Sequence, residues 1–384
     1  MEEWKTYRLE DLTIDGKGHY GIGAPAVDYD ENKFTYLRIT DINDDGSLNY
    51  SGLKSVDDPE ASKYLLQEGD IVFARTGNST GRSYYYEPSD GQFVFAGFLI
   101  KFSLDPTKVN PRFLKYYTHS KMYYEWVQSF DTGATRGNIN AQTFGSMEIN
   151  LPPREVQDRL VEILRSIDDK IKLNNHINHN LEEQARALYK SWFVDFEPFK
   201  GGKFVDSELG MIPEGWTVAP LGCIATISSG KRPPFKSTVQ NEEYKIPVLG
   251  ASSVMAYTSE YLIEGLYIIT GRVGTLGELQ RVKGKIWPSD NTLVISSDYY
   301  NFVYQVLREV DYSSLNRGST QPLLTQSDLK SWPIVLPPED VLNRFESCSL
   351  SLTSSILMNI EQNGVLRNVR DSILPVLMHD GINS

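Results

Sequence analysis

Cysteine is nearly absent from the chain. Of 384 residues only Cys223 and Cys348 are cysteines, far apart in sequence. No disulfide framework and no Cys-rich zinc site can be built from them, and a reducing cytoplasm is the expected compartment. Long hydrophobic runs are also missing. The most apolar stretch, Phe93 to Ile100, is far short of the ~20 residues that a membrane-spanning helix needs. The opening Met1-Glu2-Glu3-Trp4-Lys5 has neither the basic nor the apolar region of a signal peptide.

The loops that mark catalysis are missing as well. There is no Gly-x-x-x-x-Gly-Lys-Ser/Thr string, and the glycines at 77–81 and 271–277 do not make a dinucleotide fingerprint. No Gly-x-Ser-x-Gly elbow occurs. Arg232-Pro233-Pro234-Phe235 carries Arg where a base methyltransferase loop needs Asn or Asp. Of the five histidines, His176 and His179 share a helix face, but no carboxylate-rich zincin pattern surrounds them. The pairs Asp44-Asp45, Asp57-Asp58 and Asp168-Asp169 read as solvated surface. No catalytic residue, metal site or resident cofactor is expected.

Excess positive charge is the last absence. The formal net charge is −12, whereas nucleic-acid binders usually carry excess Lys and Arg. The acid is unevenly spread. Residues 1–60 hold a net −8, while 61–150 and 215–335 each hold +1. Local basic faces are therefore possible in two blocks.

What is present is an internal repeat. Leu151-Pro152-Pro153 recurs as Leu336-Pro337-Pro338, and Gly133-Ala134-Thr135-Arg136 recurs as Gly318-Ser319-Thr320-Gln321 at the same offset. Arg75-Thr76-Gly77 pairs with Arg272-Val273-Gly274, and Trp4 with Trp216, at offsets that fall along the chain. After each Pro-Pro a ladder of residues seven apart begins. The first is Leu160, Ile167, Asn174, Leu181 and Leu188; the second is Phe345, Leu352, Asn359, Leu366 and Ile373. Companion rows are Leu164, Ile171, Asn178, Ala185 and Ser349, Ile356, Asn363, Arg370.

A sustained seven-residue period predicts coiled-coil helices, and Pro at the start suits a helix N-terminus. The first helix is expected to run to about Phe193, roughly 60 Å at 1.5 Å per residue. The second is expected to end before Pro375. The two either pack antiparallel on each other or each packs on its own globular block. In the first arrangement Asn174 and Asn359, the central rungs, meet and fix the register. Otherwise both face solvent. The blocks mix short β-runs, such as Ile71–Ala74, Phe93–Ala96, Leu266–Ile269 and Thr292–Ile295, with helices near 111–127 and 300–310. The fold class is α+β: two globular domains and two long helices in a pseudo-two-fold repeat. The segments are 1–150, the helix of 151–199, a Gly-rich linker at 200–214, 215–335, and the helix of 336–384.

Recognition chemistry remains. Arg75, Asn78, Thr80, Arg82 and Tyr84 lie in or beside one Gly-rich turn, and Arg136 and Asn138 in another. The second block offers Lys231, Arg232, Lys236, Arg272, Arg317, Ser319 and Gln321. Gly lets backbone N–H groups approach phosphate, and Arg forks onto phosphate or guanine. Singly these are ordinary turn residues; their repetition in both blocks favours binding. The helices carry more apolar positions than one seam covers. Leu173, Ile177, Leu357, Met358 and Ile360 are candidates for docking a partner.

The chain resembles the DNA-specificity subunit of type I restriction-modification systems over nearly its whole length. The resemblance rests on the two Leu-Pro-Pro leads, the Gly-Ala/Ser-Thr turns before them and the long helices after them. Gln184 to Phe196 is similar to that family's central conserved region, and Met211-Ile212-Pro213-Glu214-Gly215-Trp216 to the usual start of its second recognition domain. The resemblance implies two target recognition domains, at 1–150 and 215–335, each reading half of a split site on double-stranded DNA. It implies an antiparallel helical spacer, two methyltransferase subunits and restriction subunits. S-adenosylmethionine and ATP then belong to those partners. The family often has Glu-Gln soon after Pro-Pro. The first copy here reads Arg154-Glu155-Val156-Gln157, but the second, Glu339-Asp340-Val341-Leu342, lacks the Gln. A non-enzymatic scaffold whose two domains grip polypeptides stays open as the other reading.

Overall fold

The computed structural model describes residues 4–50, 52–130, 137–238, 240–318 and 321–379, with side chains as far as Leu374. The chain divides into two compact units. Unit 1 comprises Met1–Lys170 with Val365–Ser384, and unit 2 comprises Ile171–Gly364. The division runs through the long helices rather than at their starts.

Those helices are Arg154–Phe193 and Glu339–His379. Each begins on a proline carbonyl: Pro153 O accepts from Val156 and Gln157, and Pro338 O from Val341 and Leu342. A proline just before the first turn gives up no helical donor. The second helix does not stop before Pro375. It continues to His379, although Pro375 has no N–H to give the helical ladder.

Unit 1 contains two four-stranded sheets. One has the order His19–Tyr20, Leu99–Ser103, Asp70–Ala74, Ser83–Tyr85; the other Ala26–Asp28, Lys54–Val56, Phe34–Leu37, Phe93–Phe95. All pairings are antiparallel except Phe34–Leu37 on Phe93–Phe95. Lys5–Arg8 pairs antiparallel with Glu148–Leu151. Phe73 stacks on Phe144 in a core that also takes in Leu160, Val161 and Leu164 of the first long helix and Leu374 of the second. The helical stretch expected at 111–127 is two helices, Pro111–Tyr117 and Lys121–Gln128. The Ser120 hydroxyl caps the second by accepting from Tyr123 N, a favoured way to restart a helix.

Unit 2 holds a six-stranded sheet in the order Thr226–Ser229, Thr292–Ser296, Ile263–Gly271, Leu279–Pro288, Ile246–Leu249, Val254–Thr258. Thr217–Pro220 pairs antiparallel with Pro333–Leu336. The helix Tyr300–Glu309 packs into a core with Phe193, Trp216 and Phe345. The stretch expected as a plain linker forms a small hairpin, Phe204–Val205 on Ile212–Pro213. Phe199 beside it packs edge-on against Trp216.

Within unit 2 the long helices pair in opposite directions. Asn174 bonds Asn363, and Asn178, one turn later, bonds Asn359, one turn earlier. The expected Asn174–Asn359 pair is not formed. In an antiparallel seam a rung of one ladder faces the companion row of the other helix, so each central Asn meets a companion Asn. The companion residues Leu164, Ile171, Ala185, Ser349, Ile356 and Asn363 are buried, as are Leu160, Asn174 and Phe345 of the ladders. Ile167, Leu181, Leu188, Leu352, Asn359, Leu366 and Ile373 are half-buried. The seam therefore lies between the two rows.

Candidate nucleic-acid interface

The two units build the same backbone frame. In unit 1 Gly21 N donates to Leu99 O (3.2 Å), Ile22 N to Phe95 O (3.1 Å), Arg75 N to Phe98 O (3.1 Å) and Ile139 N to Arg75 O (3.0 Å). In unit 2 Gly230 N donates to Thr292 O (3.1 Å), Lys231 N to Pro288 O (3.0 Å), Arg272 N to Asn291 O (2.8 Å) and Leu324 N to Arg272 O (2.9 Å). Both frames require glycine at the crossing. A Cβ on Gly21 would collide with the carbonyls of Phe95 and Ala96, and one on Gly230 with those of Pro288 and Ser289. Each frame thus holds one arginine, Arg75 or Arg272, against one tight turn.

Different side chains stand on these frames. In unit 1 the Arg75 guanidinium lies 4.9 Å from the Tyr20 ring centroid, a cation–π geometry, and its Nε donates to Asn138 Oδ1 at 3.4 Å. Asn78 and Asn138 are exposed. The Thr80 hydroxyl lies within hydrogen-bond distance of Gly77 O (2.8 Å) and Gly137 O (3.0 Å), so its single proton is offered between the two Gly-rich turns. In unit 2 Arg272, Ser229, Thr325, Gln326, Ser327 and Lys330 line an open hollow of about 380 Å³. Gln326 Nε2 donates to Ser229 Oγ across it. Lys231, Arg232 and Lys236 are exposed on the adjoining loop. That loop is anchored where Trp287 Nε1 donates to Lys231 O at 2.7 Å, and Arg232 approaches Asp290 at 3.6 Å. Gln321 is exposed.

Three sequence candidates have other work. Tyr84 is 3% exposed. It packs edge-on against Phe93 and donates its hydroxyl to Asp90, and burial first, then Asp90, pushes that hydroxyl far above its ordinary pKa. It cannot reach DNA, because all three residues of its short strand face interior. Arg82 donates to Asp44 (2.6 Å), Ile42 O and Ser79 Oγ, so it clamps a turn. Arg317 forks onto both oxygens of Asp328, and with Thr325 it holds that carboxyl below the usual range. Arg136 and Ser319 lie outside the described residues, as do Gly133, Ala134, Thr135 and Thr320. Sequence reasoning missed Tyr20, Phe98, Ser229, Gln326 and Lys330. The available signal was that Gly21 and Gly230 fall on the descending series of repeat offsets.

On the helices, Leu173, Ile177, Met358 and Ile360 are exposed, whereas Leu357 is half-buried. His176 and His179 are exposed. Among the described residues no cluster of His, Cys, Asp or Glu is arranged to hold a metal, and no helix is long and apolar enough to cross a membrane.

The two units thus share a duplicated α+β frame that presents one arginine per copy. The model of the type I restriction modification DNA specificity domain matches residues 1–183 and 213–344, and the chain belongs to that family. It is 32% identical over 295 residues to the type I restriction enzyme MjaIX specificity subunit of Methanocaldococcus jannaschii, covering 69% of this chain and 68% of that protein. It is 23% identical to the HindI specificity subunit of Haemophilus influenzae over the whole of both chains. The crystal structure of a type I S subunit from M. genitalium superposes with a TM-score of 0.53 at 14% identity, covering 98% of this chain and 96% of that one; this agreement concerns the fold. As a specificity subunit the chain is a DNA-recognition component and not a catalytic one.

Proposed function

We propose that this chain reads a split target on double-stranded DNA, one half-site with each unit, inside a type I restriction-modification complex. The observation that carries this reading is the duplicated frame, which presents Arg75 in one unit and Arg272 in the other on equivalent hydrogen bonds. One frame with two side-chain sets is what a duplicated reader of two different half-sites needs. Arginine forks onto guanine or phosphate.

The long helices serve as an antiparallel coiled-coil spacer in a chain with pseudo-two-fold internal symmetry. Their exposed residues Leu173, Ile177, Met358 and Ile360 offer apolar surface for two methyltransferase subunits, with restriction subunits joining for cleavage. S-adenosylmethionine and ATP are bound by those partners. A salt titration of the purified chain on random duplex DNA tests the reading. Affinity should fall steeply and linearly on logarithmic axes as phosphate contacts are screened. A slope near zero would point instead to a scaffold that grips polypeptides. Co-expression with its methyltransferase, followed by sequencing of methylated sites, should return a target in two separated parts; a continuous target would overturn the split reading.

A further inference from the structure

We propose that Phe98 stacks against a base step in the half-site read by unit 1, with Arg75 beside it. The inference rests on the DNA-reading proposal above. Phe98 is the third residue of the turn closed by Leu99 N donating to Ala96 O at 2.8 Å. Its own carbonyl accepts from Arg75 N, so the aromatic and the guanidinium are borne by directly bonded backbone. Phe93 and Phe95, on the strand entering the same turn, are each 2% exposed, whereas Phe98 is 60% exposed. Among the described residues its ring has no aromatic partner. The turn packs closely against residues 21–23: a Cβ on Gly97 would meet Ile22 O and Gly23, and one on Gly21 would collide with the Phe95 and Ala96 carbonyls. A turn that offers an exposed apolar ring, on backbone bonded to that of an arginine, has the chemistry of a stacking wedge, since every base has a π-face and Arg can satisfy a phosphate or base edge.

The same place in unit 2 tells why this is a specificity position. There the turn closes by Thr292 N donating to Ser289 O (3.0 Å), and the residue whose carbonyl accepts from Arg272 is Asn291. The frame is kept while the side chain changes from one that stacks to one that hydrogen-bonds. Such a difference lets a duplicated scaffold treat its two half-sites unequally.

The test uses the full chain in complex with its methyltransferase, on duplexes carrying the methylated target with 2-aminopurine placed at successive positions. Wild type should raise the fluorescence several-fold at one step of one half-site. Phe98→Ala should abolish that signal and weaken binding about 5- to 150-fold, the effect of losing one base–aromatic stack, with the salt slope unchanged. Phe98→Trp should keep the signal, and Asn291→Ala should leave it untouched. Were Phe98→Ala to unfold, Phe98→Asn, the residue that unit 2 carries there, replaces it. Unchanged fluorescence and affinity in a folded variant would overturn the proposal. Absence of salt-dependent DNA binding by wild type would instead defeat the DNA reading itself, and this proposal with it.

Discussion

Asn174 donates from its side-chain amide to Asn363 at 2.8 Å in the middle of the helical seam, and the same amide reaches Gln362. Asn174 is 0% exposed, and Asn363 passes the chain of bonds on to Asn175. A buried amide left unpaired costs ~1–3 kcal/mol, while replacing both partners with apolar groups is nearly neutral. Asn174→Leu should therefore destabilise unit 2 by about that amount, and Asn174→Leu with Asn363→Leu should recover most of it. Urea unfolding of both variants measures the difference. A double mutant no better than the single would show that this pair is not the costly element.

Arg281 reaches from the six-stranded sheet to the first long helix, where Glu182 takes two of its donors at 2.7 and 3.3 Å. The guanidinium lies 3.5 Å from the Tyr304 ring centroid, and its side chain is only 2% exposed. Removing one partner of a buried pair typically costs about 3–5 kcal/mol, because the other charge is left unpaired. Glu182→Ala should show a loss of that order. Arg281→Met combined with Glu182→Leu should lose less, since the buried guanidinium is then gone and Arg308, 3.7 Å from Glu182, still has Glu183 at 3.4 Å. Equal losses in single and double variants would place the cost in packing against Tyr304 instead.

His119 gives unit 1 an acid-sensitive element. It lines a polar hollow of about 280 Å³ with Asp45, Lys115, Asp168 and Arg370. Burial pushes its pKa down to about 4; Asp45 and Asp168 oppose this, and Arg370 and Lys115 add to it. The unfolded chain takes up a proton near pH 6.5 that the folded chain refuses. The stability this neutral imidazole permits is thus complete above about pH 6.5 and is lost as pH falls toward about 4. His119→Gln should flatten unfolding free energy against pH in that window. An unchanged slope in the variant would assign the acid sensitivity to other groups.

The long helices were legible because heptads and the Pro-Pro leads are local signals: the first runs from Arg154 to Phe193 as its pattern demands. The partnering of Asn174 was not, because a ladder shows which face is buried but not which row opposes it in an antiparallel seam. The structural equivalence of Arg75 and Arg272 was legible through repetition. Tyr84 and Arg82 misled because a tyrosine or arginine near glycines looks the same in sequence whether its partner is DNA or Asp90 and Asp44. Phe98 was invisible, since only the folded turn shows that one phenylalanine of the run 93–98 faces outward.

Arg75 and Arg272 separate the modular reading from a concerted one. Each is fixed by equivalent backbone bonds in its own unit, so each should act on one half-site alone. Arg75→Ala should relax sequence preference within the half-site of unit 1, at a cost of ~1–3 kcal/mol if the guanidinium forks onto a base. Arg272→Ala should do the same within the other half. The salt dependence distinguishes the kind of contact. A phosphate contact removed lowers the logarithmic slope by about 1 and weakens all sequences alike, whereas a base contact removed leaves the slope and erases one preference. Arg272 shares its hollow with Lys330 and three hydroxyl-bearing side chains, a setting suited to phosphate, so its variant should show the slope change. Arg75, stacked on Tyr20 and bonded to Asn138, is held in one orientation and should show the lost preference. Sequencing of methylated sites from cells carrying each variant gives the preferences, and titration on random duplex gives the slopes. If Arg75→Ala altered both halves of the target, the two units would not read independently.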